Sequence, residues 1–274
     1  MNVSPETERH FTYLWEVSRD ETWEPDTRLA FLRFIDKEHS YVDVGSWIGA
    51  TLLIGGPLAK KAYGIEADPI SYGFLKYNME RSLPFTANVE VFEIAITPVT
   101  GKVSFGSRSG GNDTMSSLLF ADAATSWVVD GWNFTEWLDH QGITDCNFIK
   151  MDIEGGEYSV LPTMRKYLET HRPSLHLSLH PCFVGNQQAK GVVERVKRSI
   201  YRGRQTLRLL KVIADYNYIY DPRGKIESSG IDTFSSRLRD RLARISWKPA
   251  VLLLTFLYSL LGGNDTLVVS QQRW

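Results

Sequence analysis

Only two cysteines occur in 274 residues, Cys146 and Cys182, in or beside expected inner strands. That scarcity excludes a disulfide scaffold and any cysteine-based zinc spacing, and it fits a reduced, cytoplasmic protein. Charge of one sign is missing too: 31 basic against 32 acidic residues leave no global field that would point to nucleic acid. The apolar run at 250–261 is shorter than the roughly 20 residues that span a bilayer. Residues 1–10 lack the basic and apolar regions of a secretion signal. There is no internal repeat and no low-complexity linker, so a single domain over residues 1–274 is expected. A chain of that length buries a substantial core.

Three motifs are present instead. The first reads Tyr41-Val-Asp-Val-Gly-Ser-Trp-Ile-Gly-Ala-Thr51: an apolar strand at 41–44, then glycines at 45 and 49 with a G-x-x-x-G spacing. Gly45 suits a tight turn with close backbone approach, and Gly49 suits close packing of helix on strand. The dinucleotide fingerprint G-x-G-x-x-G is absent, and Trp47 stands where a glycine would make room for a pyrophosphate. The second motif, at 61–69, is a strand ending in Glu66, about 20 residues after the first. An acid at such a strand end accepts the hydroxyls of a ribose. The third is Asn147-Phe-Ile-Lys-Met-Asp-Ile-Glu-Gly-Gly-Glu157. Here an apolar strand ends in Asp152, Glu154 and Glu157, three acids that are costly to gather unless water, a cation or a donor-rich ligand answers them. The competing reading is a solvated acidic helix N-terminus.

Between and beyond these motifs, strands and helices alternate. Helices are expected at 7–19, 25–37, 48–60, 70–81, 134–141 and 157–169, and strands at 41–44, 62–66, 89–96, 146–152 and 174–180. Residues 102–105 are hairpin-like, 216–228 suggest a hairpin with a turn at 221–224, and 266–270 form a closing strand. Alternation of this kind implies an α/β fold, a mainly parallel sheet with helices on both faces. Residues 1–39 then supply N-terminal helices, 40–183 the cofactor-binding core, and 184–274 the substrate-side and closing elements.

The residues resemble the FkbM-type S-adenosylmethionine-dependent methyltransferases. The resemblance rests on Asp43-Val-Gly-Ser-Trp-Ile-Gly49, on Ile65-Glu66-Ala-Asp-Pro69, on Phe92-Glu-Ile-Ala-Ile-Thr97 with the hairpin after it, on Asn78, and above all on Lys150-Met-Asp-Ile-Glu-Gly-Gly-Glu157. It covers about residues 38–183. It implies a Rossmann-like class I methyltransferase fold with an antiparallel closing strand, and S-adenosylmethionine held by Asp43, Gly45, Ser46, Gly49, Glu66, Ala67, Glu93, Ile94, Ala95 and Asp152. Two departures stand out: Trp47 replaces a common Asn, and the strand 177–180 carries no acid before His180.

Methyl transfer to a hydroxyl needs alignment of the two partners and a base or metal for the alcohol. Asp152 and His180 end neighbouring strands and should share one sheet edge. His180 is the expected general base, because imidazole titrates near working pH; a histidine merely capping a strand before Pro181 is the alternative. Asp152 and Glu154 orient that histidine, bind substrate hydroxyls, or hold Mg2+, a hard ion that favours carboxylates. His176 shares the face of His180 but sits deeper and reads as structural. The loop 110–117 is a candidate for the substrate side, and Trp127, Trp132 and Trp137 could stack on a sugar, although such aromatics are commonly core.

The family resemblance points to O-methylation of a small-molecule or glycan-type acceptor. An NAD(P)-dependent oxidoreductase and a catalytically inactive methyltransferase-fold partner in glycan assembly are the alternatives. Segment 237–261, with five basic residues before its apolar run, could lie in a membrane interface, cover the sheet or form a dimer contact. Oligomeric state is not legible.

Overall fold

A computed structural model of the chain describes residues 5–107, 116–117, 125–185, 191–220, 256 and 265–272. At its centre β1 (Ser40–Val44) is buried along its whole length. Alternation along a strand sends successive side chains to opposite faces. Tyr41 therefore joins one apolar cluster with Phe31, Leu52, Leu75 and Phe148, while Val42 and Val44 join another with Ile65, Met151 and Leu177. The first face is covered by α1 (Pro5–Arg19), α2 (Pro25–Phe34), α3 (Ala50–Gly55) and α4 (Pro69–Arg81). The second is covered by α5 (Phe134–Gln141), α6 (Glu157–Val160), α7 (Arg165–His171) and α8 (Gly191–Ile213). Phe31, Tyr41 and Phe148 meet with ring centroids 5.2–5.7 Å apart, contacts that add about 0.5–1.5 kcal/mol per pair beyond burial.

Seven strands make the main sheet. In spatial order they are β10 (Tyr218–Tyr220), β11 (Asp265–Ser270), β9 (Ser174–Leu179), β8 (Cys146–Met151), β1, β2 (Lys61–Glu66) and β3 (Val89–Glu93). From β9 to β3 all neighbours run parallel, and β11 is antiparallel to both β9 and β10. The order reverses between β1 and β8. That switch point leaves a crevice at the carboxyl ends of the strands, where ligands of open α/β sheets bind.

Several elements differ from the sequence reading. The strand expected at 89–96 breaks at Ile94, because the chain leaves the main sheet for a second one. There β4 (Ala95–Ile96) pairs with β7 (Thr125–Trp132), which pairs in turn with β5 (Gly101–Ser107), with β6 (Ser116–Ser117) at the edge. The helix after β1 stops at Gly55 and continues as a 3-10 turn through Pro57. Pro162 likewise interrupts the helix expected at 157–169 with a 3-10 turn at Leu161–Met164, since proline cannot donate to the helical ladder. The helix begun at Pro25 ends at Phe34 rather than residue 37, because Ile35 is extended. Strand β10 pairs with β11. Residues 221–228, most of the loop at 110–117 and, except for Phe256, the segment 237–261 lie outside the described residues. Phe256 itself packs against the second-face cluster. Among the described residues no helix is long and apolar enough to cross a membrane.

Candidate active site

Gly45 closes the turn that follows β1 with φ +86°, and an added Cβ would lie 1.9 Å from the carbonyl oxygen of Asp152. The close approach is thus to the end of the neighbouring strand β8. Gly49, at φ +99°, is crowded instead by Leu75 and Met79 of α4, where a helix-on-strand contact was expected. Asn78 of α4 fixes the same turn by donating to the Ile48 carbonyl at 2.9 Å. The turn brings Trp47 into a left-handed conformation, φ +49°. Asparagine, expected there from the resemblance, tolerates that conformation far better than tryptophan.

The crevice holds a cavity of about 280 Å3. Its lining draws on the turn after β1 (Gly45, Ser46, Trp47), the end of β2 (Glu66, Ala67), the break after β3 (Ile94, Ala95) and the end of β8 (Lys150, Asp152, Glu154). Of the residues expected to hold a cofactor, Gly45, Ser46, Glu66, Ala67, Ile94, Ala95 and Asp152 therefore meet around one space. Asp43, Gly49 and Glu93 do not line it. Asp43 is fully buried on the Tyr41 face, and Glu93 is exposed at the end of β3. Tyr13, Trp23 and Glu24, from α1 and the turn before α2, line it as well. No sequence signal marked those three, because they come from a segment with no motif.

Glu66 is preformed for hydrogen-bond donors. One carboxyl oxygen accepts the Trp47 amide and the other the Asp68 amide, each at 2.8 Å. Burial nevertheless pushes its pKa up to about 7, against those two amides, which lower it. A carboxylate offers about four acceptor sites, so acceptor capacity remains beyond the amides. Beside it the indole nitrogen of Trp47 is buried, with no hydrogen-bond partner among the described residues.

Around the end of β8 side chains do the tying instead. Lys150 is buried, 3.3 Å from Asp43 Oδ1 and 3.8 Å from Asp152 Oδ2. Thr51 donates to the other oxygen of Asp43. Burial alone would lower the Lys150 pKa, but Asp43, Asp152 and Glu24 hold it above the ordinary lysine value. His180, just past β9, is placed by Glu157, fully buried at the start of α6: Nδ1 lies 3.0 Å from Oε1. The same Oε1 accepts the amide of Ile153 at 3.0 Å. The missing acid on the His180 strand is thus supplied by α6, by a residue that stood in the third motif without a role. Nε2 of His180 faces Asp152 at 3.6 Å and Glu154 at 4.0 Å. Burial lowers the imidazole pKa, but Glu157, Asp152 and Glu154 together raise it to about 9. The imidazole therefore keeps its proton at neutral pH in this arrangement, unlike the free base expected from an ordinary histidine.

His176 is buried, with Nε2 3.2 Å from the Thr27 hydroxyl, and burial together with Lys150 drives its pKa down to about 4. It is a packing residue. Trp137 is core, and Trp132 stacks on His140 with centroids 4.8 Å apart. Trp127 packs beside the Ala67, Ala95, Phe105 and Val129 cluster. None of the three lines the cavity. Both cysteines are free; Cys146 is buried at the start of β8, where burial pushes its thiol up to about 12.

A family model of the methyltransferase FkbM domain matches residues 43–220, a span that contains the first motif from Asp43 on, the other two motifs and the His180 strand. The chain belongs to the FkbM methyltransferase family. Its α/β fold, a mainly parallel sheet with helices on both faces, is the one the resemblance implied. Among solved structures it is similar to the methyltransferase FkbM from Methylobacillus flagellatus KT, with 21% identity over 68% of this chain and a TM-score of 0.42. The match covers 40% of that protein, so the FkbM chain described here spans less than half of its relative's length. Similarity extends to an O-methyltransferase from Bacillus cereus in complex with SAH, with 9% identity over 98% of this chain and 91% of that one, TM-score 0.42. It extends also to the geranyl diphosphate C-methyltransferase from Streptomyces coelicolor A3(2), with 10% identity over 96% and 82%, TM-score 0.43. No curated protein matches the chain.

Proposed function

We propose that the protein is an S-adenosylmethionine-dependent O-methyltransferase acting on a hydroxyl of a small or glycan-type acceptor. The observation that carries this reading is one cavity lined both by Glu66, with its spare acceptor sites, and by the carboxyls of Asp152 and Glu154. The residues present fit the cofactor. Glu66 accepts the two hydroxyls of a ribose, the orphaned indole N–H of Trp47 is a donor waiting for an acceptor, and the turn at Gly45 leaves main chain rather than side chain at the wall. Ala67, Ile94 and Ala95 offer the small apolar surface that a flat heterocycle needs.

When bound, S-adenosylmethionine supplies a methyl carbon on a positively charged sulfur, and the C–S bond breaks as a C–O bond forms. The chain's own part is alignment and proton handling. Asp152 and Glu154 face the cavity, accept hydrogen bonds from the acceptor's hydroxyls and take the proton that the reacting oxygen loses. His180 does not line the cavity; it fixes both carboxyls from behind, and Glu157 fixes it in turn. An acidic rim of this kind suits a polyol, whose several hydroxyls donate to it. That preference supports the glycan-type acceptor.

Calorimetric titration with S-adenosylmethionine, S-adenosylhomocysteine and NAD+ tests the cofactor. Binding of the first two, lost in Glu66→Ala, is the expected outcome; binding of NAD+ alone would overturn it. Transfer of a labelled methyl group to sugar acceptors should vanish in Asp152→Asn. Transfer unchanged in that variant would remove Asp152 from the chemistry.

A further inference from the structure

We propose that Asp152, Glu154 and His180 form a divalent-cation site of the Mn2+ type at the edge of the cavity. One donor atom from each residue lies within 4.8 Å of the others. The separations from His180 Nε2, 3.6 Å to Asp152 and 4.0 Å to Glu154, are too long for hydrogen bonds. They suit donors arranged around an ion. Bonds of about 2.0–2.3 Å put neighbouring donors about 3 Å apart and opposite donors up to about 4.5 Å apart, so a small inward movement of the carboxyls closes the set.

Two independent features support an ion there. The first is orientation. Glu157 occupies Nδ1 of His180, so Nε2 is the nitrogen presented to the two carboxyls. A carboxyl on the far ring nitrogen is the arrangement that fixes metal-bound histidines. Glu157 is fully buried, and its second oxygen has no hydrogen-bond partner among the described residues, so its placement serves this contact rather than solvent. The second is charge. Asp43, Glu24, Asp152, Glu154 and Glu157 are five carboxyls within electrostatic reach of one ammonium, Lys150, and one imidazole, His180. Among the described residues negative charge exceeds positive even with both bases protonated, and a divalent ion that displaces the Nε2 proton of His180 reduces the excess by one. Asp152 divides between the two cations: Oδ2 lies toward Lys150 and Oδ1 toward His180.

Two carboxylates suit Mn2+ as they suit Mg2+, and an imidazole is a ligand of first-row transition ions, so Mn2+ is the ion that probes this mixed set. Asp152 and Glu154 also line the cavity, so a bound ion would face the acceptor. There it would lower the pKa of a coordinated hydroxyl, whose proton passes to the solvent or a free carboxyl oxygen as the C–O bond forms. For that role the inference rests on the proposed function; for binding it does not.

The test is titration of the full, chelator-treated chain with Mn2+, followed by electron paramagnetic resonance, alongside S-adenosylhomocysteine binding by calorimetry. One saturable Mn2+ per chain is expected, with affinity at least tenfold weaker in Glu154→Gln and in His180→Ala, and about 10–100-fold weaker in Glu157→Gln. Glu66→Ala should leave Mn2+ binding unchanged. Thermal melts of each variant separate lost ligands from lost fold, and the near-isosteric Glu154→Gln keeps the test decisive if His180→Ala does not fold. Absence of Mn2+ binding with S-adenosylhomocysteine binding intact overturns the cation site and spares the methyltransferase reading. Mn2+ binding without nucleoside binding does the reverse. Binding unaffected by Glu154→Gln and His180→Ala would place the ion elsewhere and overturn the proposal.

Discussion

The two halves of the crevice are built from different materials. At the ends of β1 and β2 the shape is made by main chain: Gly45 and Gly49 turn it, and Glu66 is held by two backbone amides. At the ends of β8 and β9 it is made by side chains, with Lys150 between Asp43 and Asp152, and His180 among three acids. Main-chain donors cannot titrate or swing away, so the first half is rigid and preformed. Charged side chains hold one another only while their protonation states match. The second half should therefore respond to pH, to ions and to single substitutions of one partner.

The largest break is expected in the main-chain half. Gly45→Ala combines a left-handed backbone with a Cβ driven into the Asp152 carbonyl. It should cost about 4 kcal/mol or abolish folding, measured by chemical denaturation. A well-folded Gly45→Ala protein would show that the turn is softer than the geometry implies. In the charged half, Lys150→Met leaves Asp43 buried without its cation and should cost about 3–5 kcal/mol. The double variant Lys150→Met with Asp43→Asn should recover part of that loss, which a purely steric effect would not.

Acid should act on the same half. The folded pKa of His176, about 4, lies below its ordinary value of 6.5. The unfolded chain therefore binds the proton first, and the stability present above pH 6.5 is lost as pH falls toward 4. The loss from this residue should reach about 3 kcal/mol, and a His176→Leu protein should lack it in denaturation curves taken between those pH values. The smallest effect belongs to Glu66. Its folded pKa is raised to about 7, and ribose hydroxyls donate to the ionised form. Affinity for S-adenosylhomocysteine should rise as pH climbs through about 7 and level off above it. Glu66→Gln should flatten that profile and weaken binding about tenfold, roughly 1.4 kcal/mol.

Much of this was legible in the residues. The strand ends at Val44, Glu66 and Met151 could be read because an apolar run, a turn of glycines and an acid are local features. The acids at 152 and 154 stood out as costly to gather beside a buried strand, although the sequence alone also allowed a solvated helix N-terminus. The break at Ile94 could not be read, because 89–96 is one uninterrupted strand pattern and only the second sheet pulls its end away. Nor could the part played by Tyr13, Trp23 and Glu24, which lie on α1 and in the turn before α2, where no motif marks them. Asp43 was legible as important but misread as facing the ligand: strand alternation puts it on the Tyr41 face, under the cavity wall, where it anchors Lys150.

By itself the sequence determined the alternation of strands and helices, the order of the motifs and hence the shared edge at which they end. Those follow from periodicity and turn chemistry, which act over a few residues. Tertiary structure alone decided that the acid behind His180 comes from α6, that Lys150 bridges two carboxyls from different strands, and that a single cavity joins Glu66 to Asp152. Those contacts unite residues far apart along the chain. Their energies depend on burial and on distances of a few ångströms, and no local pattern encodes either.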